Sequence, residues 1–104
     1  MYKLLFFLHK SDDENDLKHF EEVTVNHLKE ITGNDIMVAN VESNFLLETK
    51  YSHFCEVSAT SVDEMNKLMN TKAGKELNND LMLFHNSITV ISVNYSKDAR
   101  NNSC

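Results

Sequence analysis

Residues 2–9, Tyr2-Lys3-Leu4-Leu5-Phe6-Phe7-Leu8-His9, decide the fold. The run is aromatic and apolar, and it has the length of a strand. Side chains alternate across a strand. Tyr2, Leu4, Phe6 and Leu8 therefore share one face, and Leu5 and Phe7 share the other with Lys3 and His9. An antiparallel sheet with one wet face alternates apolar and polar residues. This strand is apolar on both sides, so both faces of its sheet need cover.

The same property recurs along the chain. Residues 87–95 predict a last strand, with Ile88 and Val90 pointing one way and Ile91, Val93 and Tyr95 the other. Ile36 to Val41 predicts a short strand that sets Ile36 and Val38 opposite Met37, Ala39 and Val41. Tyr51 to Thr60 predicts another. Between the first two strands, Ser11-Asp12-Asp13-Glu14 fits a capping box, its acidic residues suiting a helix N-terminus. Leu17, Phe20, Val23, Thr24, Leu28 and Ile31 follow at helical spacing, and Gly33 ends the run. A helix over about residues 13–32 is expected.

Ser61-Val62-Asp63-Glu64 opens a second helical region, with one apolar stripe at Met65, Leu68 and Met69 and another at Ala73, Leu77, Leu81 and Phe84. Thr71 to Gly74 between the stripes predicts a break with a new cap at Thr71. Glu42 to Lys50 is polar enough for a turn, in which Phe45-Leu46-Leu47 extends a neighbouring strand or covers an edge. The order β-α-β-β-α-β predicts an α+β, ferredoxin-like domain over residues 1–96 and a polar tail over 97–104. Its two helices lie on one face of a four-stranded antiparallel sheet.

Two helices cover only one face. The other would leave a large apolar patch in water, and self-association is the usual remedy. A homodimer is therefore expected. Two sheets facing each other enclose a lined cavity, a natural ligand site. Its expected lining is Lys3, Leu5, Phe7, His9, Ser58, Ile91, Val93 and Tyr95, with Glu56.

The formal net charge of -6 argues against nucleic acid and anionic membrane surfaces as partners. The two cysteines do not make a disulfide framework. Cys55 lies among alternating apolar residues and reads as a small buried hydrophobe, whereas Cys104 falls in the polar tail. Leu4-Leu5-Phe6-Phe7-Leu8 is too short for a signal peptide and lacks a small-residue cleavage site, so a cytoplasmic protein is expected.

The C-terminal half resembles the EthD-like proteins of the dimeric α+β barrel superfamily. The resemblance is carried by Cys55-Glu56-Val57, by Ser61-Val62-Asp63-Glu64-Met65 and by Met69-Asn70-Thr71-Lys72-Ala73-Gly74-Lys75. Asp80-Leu81-Met82-Leu83-Phe84 and the last strand complete it. It implies a dimer that binds a small apolar or aromatic molecule between its sheets. It also implies either cofactor-free proton transfer or oxidation there, or a non-catalytic accessory role. Haem handling is a further implication of the superfamily. The family carries a helix histidine about eight residues after a Phe; here Phe20 to His27 is seven residues, and counting back from Gly33 reaches Thr24.

His27, in the apolar stripe of the first helix, reads either as a partly buried, hydrogen-bonded residue or as a general base. Glu56 lies on the strand face opposite Cys55, Val57 and Ala59. It is either a raised-pKa acid or base, or an ordinary carboxylate paired to a lysine such as Lys3. His27 with Glu56 is the expected catalytic pair, and His27 is also the candidate axial ligand for haem. His19 is expected in solvent, His53 at the surface, and His85 at a helix C-terminus where a cation is favoured. No histidine has metal-ligand spacing, and neither metal nor cofactor is expected.

Overall fold

The computed structural model describes residues 1–43 and 48–95. β1 (Tyr2–His9) occupies an inner position, with β2 (Ala39–Asn40), β3 (Tyr51–Ala59) and β4 (Ile88–Asn94) around it in the sheet order β2-β3-β1-β4. β1 pairs antiparallel with both β3 and β4. Phe6 sits opposite Cys55 on one side and Val90 on the other, and Leu8 opposite His53 and Ile88. Phe6, Leu8, Cys55, Val57, Ala59 and Ile88 form the buried side of the sheet.

The helices pack on that side. α1 (Glu14–His19), a π-helical turn (Phe20–Thr24) and α2 (Val25–Thr32) make one uninterrupted helical run. α3 (Val62–Met69) and α4 (Lys72–Leu83) follow β3. Phe20, Val25, Leu28, Ile31, Met65 and Leu77 close the core from the helix layer. Each such side chain contributes on the order of 2 kcal/mol by leaving water. Cys55 belongs to the sheet side of this core, and burial pushes its thiol up to about 12, so it is an inert packing residue.

The caps follow the local sequence with one shift. Asp13, rather than Ser11, caps α1: its carboxylate accepts from Asn15 N–H, while Ser11 Oγ accepts from Asp13 N–H. The carboxylate two positions on is better placed for the first free N–H groups. Ser61 accepts from Glu64 N–H, and Thr71 accepts from Gly74 N–H, so both later caps form where expected. Gly33 takes the left-handed conformation, φ 71°, that ends α2.

The predicted strand at Ile36–Val41 shrinks to two residues, Ala39 and Asn40. Ile36 and Val38 pack against the core while Met37 is exposed, so this segment serves as apolar cover before it joins the ladder at Phe54 and His53. The segment Phe45-Leu46-Leu47 and the tail lie outside the described residues.

The α3–α4 break depends on one glycine. A Cβ at Gly74 would collide with the carbonyl group of Met69, backbone that cannot step aside. We expect Gly74→Ala to lower stability by about 3 kcal/mol in urea unfolding, well beyond the small gain that Ala usually gives inside a helix.

Candidate functional site

The open face of the sheet carries the residues that alternate away from the helices. Lys3, Leu5 and Phe7 of β1 stand beside Ser58, Glu56 and Phe54 of β3 and beside Val93, Ile91 and Thr89 of β4. Phe7 packs against Tyr51 and Phe54, with ring centroids 4.7 and 5.0 Å apart. His9 Nε2 lies 2.6 Å from Thr89 Oγ1, and its ring approaches Tyr51. Lys3 Nζ is 3.3 Å from Glu56 Oε1 and 5.9 Å from the centre of the Tyr95 ring. Glu56 is thus an ion-paired carboxylate at a partly wet surface, where such pairs contribute little.

Tyr51 and Phe54 also belong to this face, beyond the lining expected from sequence. The alternation of Phe54 with Glu56 and Ser58 is the signal that could have found it. Tyr51 has no such signal, because an irregularity between Leu8 and His9 shifts the register and turns it toward Phe7.

A cavity of about 590 Å³ lies on the other side of the sheet, beneath α4. Leu4, Phe6 and Val90 form its floor, and Met69, Gly74, Leu77 and Leu81 its apolar wall. Lys75, Asn78 and Asn79 supply its polar groups. His27, the expected axial ligand for haem, is not among these lining residues.

The opposite side of α4 meets the long helix through polar contacts. Asp80, 7% exposed, accepts a hydrogen bond from Thr24 Oγ1 at 2.7 Å and is paired with His19 Nε2 at 2.5 Å. His19 also stacks on Phe84, with ring centroids 3.8 Å apart. It is therefore not the solvated residue expected from sequence. The cause is the π-helical turn, in which Val25 N–H bonds to Phe20 O. Winding of the i→i+5 kind sets residues five apart on one face. His19 and Thr24 thus converge on one carboxylate, which α-helical counting does not anticipate.

His27 lies one element further on. Its side chain is partly buried between α2 and α4, with Nδ1 3.9 Å from Glu76 Oε2. The sheet separates it from Glu56, so the structure does not bring the expected acid–base pair together. Instead it gathers Glu30 and Glu76 around His27, their donor atoms all within 4.8 Å of one another. Sequence spacing missed this group because Glu76 arrives from a helix remote in the chain. His53 contacts Ser52 Oγ, and His85 Nδ1 lies 3.0 Å from Met82 O, at the helix end as expected.

These features define a ferredoxin-like α+β domain with one open sheet face, and the fold is EthD-like. An ethyl tert-butyl ether D (EthD) family protein of Bacillus halodurans C-125 superimposes with a TM-score of 0.75 at 21% identity, covering 92% of this chain and 99% of that one. At3g17210 of Arabidopsis thaliana matches with a TM-score of 0.58 at 13% identity, over 92% of this chain and 95% of its own. HapK of Hahella chejuensis matches with a TM-score of 0.57 at 9% identity, over 93% and 94%. At these identities the likeness is one of fold. No protein-family model matches the chain, and no curated protein matches it in sequence.

The Asp80 contacts make a direct prediction. Asp80→Ala leaves the Thr24 hydroxyl buried without its acceptor, and we expect it to cost about 3 kcal/mol in chemical denaturation. Thr24→Val keeps the shape and loses one hydrogen bond, so it costs about 1 kcal/mol.

Proposed function

We propose that this chain is an EthD-like binding protein that holds a small apolar or aromatic molecule beneath α4 and works as a homodimer. The cavity of about 590 Å³ carries the reading. Its size falls within the roughly 300–1,000 Å³ of small-molecule sites, and its apolar lining with a few polar groups is their usual makeup. Lys75, Asn78 and Asn79 suit a ligand with one polar end. Lys75 is the one ionisable side chain among the described lining residues, which favours binding over acid–base chemistry. No acid–base role is assigned to His27 and Glu56 in this reading.

The open face supports self-association. Ile91 and Tyr95 are 42% and 57% exposed, and Leu5, Phe7 and Phe54 continue the same apolar surface. A second copy, packed face to face, would cover it with an identical surface. Lys3, His9, Glu56 and Ser58 would then form a polar fringe within that contact, or line a partly wet space between the sheets. A cytoplasmic setting suits the buried free thiol of Cys55. No helix among the described residues is long and apolar enough to cross a membrane.

Light scattering should return twice the 12.0 kDa of one chain, and Ile91→Arg should return the single-chain mass. A wild-type mass of one chain would remove the dimer and leave the binding reading standing. Thermal shift with 2-naphthol and related aromatics should raise the melting temperature with concentration, because a ligand that binds only the folded state stabilises it. Val90→Trp, which puts an indole ring into the cavity, should abolish that rise while the protein stays folded. No rise across a panel of apolar and aromatic compounds would overturn the binding reading.

A further inference from the structure

The geometry points to a divalent metal site at His27, Glu30 and Glu76, on the solvent side of the α2–α4 contact and away from the cavity. His27 and Glu30 stand three residues apart on α2, which makes them neighbours on one helix face. Glu76 faces them from α4. One imidazole nitrogen and two carboxylates thus point toward one place from two different helices, with all three donor atoms within 4.8 Å of one another.

The imidazole is the informative member. His27 Nδ1 is buried and has no hydrogen-bond partner among the described residues, although buried polar atoms ordinarily have one. The carboxylate nearest to it, Glu76 Oε2, stands at 3.9 Å, which is too long for a hydrogen bond. That separation is close to what a shared ion requires: donors about 2.1 Å from one tetrahedral ion lie roughly 3.4 Å apart. Glu30 and Glu76 are exposed, so their side chains can close the remaining distance by rotation. Two carboxylates balance the charge of a divalent ion. The mixture of imidazole and carboxylate selects zinc and its first-row neighbours over magnesium and calcium, which take oxygen ligands. An ion there ties α2 to α4 from outside, just as Asp80 ties α4 to α1 from within. It needs no ligand in the cavity, so it stands or falls apart from the binding reading.

The test is titration of the chelator-treated, untagged full chain with zinc chloride at neutral pH, followed by calorimetry and by thermal melting. The expected result is one zinc per chain and a rise in melting temperature of about 10 °C at saturation. Cobalt(II) should give the absorption bands of a low-coordinate site, and excess magnesium should not displace either ion. Glu30→Gln and Glu76→Gln change exposed residues and should fold normally. Each should weaken zinc binding on the order of 10-fold or more, and His27→Gln should weaken it further. If His27→Gln fails to fold, the two glutamine variants still decide the matter. Absence of zinc binding overturns the proposal, and so does binding of unchanged strength in Glu30→Gln and Glu76→Gln, which would locate the ion elsewhere.

Discussion

Everything in this domain is hung on β1, which must satisfy neighbours in four directions. Its backbone is paired on both edges, to β3 and to β4. Its side chains are occupied on both faces, with Phe6 and Leu8 under the helices and Leu5 and Phe7 on the open side. A slip of one residue would exchange the two faces and put Lys3 into the core. Both the helix layer and the aromatic group at Phe7, Tyr51 and Phe54 depend on the same register.

The helix α4 shows how one element serves two surfaces. On one side it presents Gly74, Leu77, Asn78 and Leu81 to the cavity. On the other it presents Glu76 and Asp80, one turn apart, to the long helix. The polar side fixes where the apolar side stands. The buried Asp80 carboxylate, satisfied by Thr24 and His19, is the stronger anchor, because a buried acceptor without partners would be costly.

Much of this was legible in the sequence. The order of elements along the chain, the break at Thr71 and the termination at Gly33 follow from alternation, capping residues and glycine freedom, all of which act over a few residues. So does the division of β4, with Val90 toward the core layer and Ile91 away from it. Glu56 faces away from the core, as its alternation with Cys55 and Val57 requires, and its partner is Lys3. What escaped depends on contacts between remote segments. The cavity needs α4 to stand off from the sheet, a matter of tertiary spacing. The partnership of His19 with Asp80 needs a helical turn of unusual winding, and the phase of an ordinary helix aims His19 elsewhere.

The π-helical turn at Phe20–Thr24 has a further consequence for how the long helix keeps count. It works like a vernier, one scale of winding set against another. α1 and α2 each run at the ordinary pitch, but the turn between them offsets one against the other. Removing a single residue there would restore uniform winding and swing α1 by about 100° relative to α2. The lettering of α1 could stay unchanged while every one of its side chains faced a new neighbour. In this chain the length of one turn, as much as the identity of any residue, determines which face of the helix meets the protein.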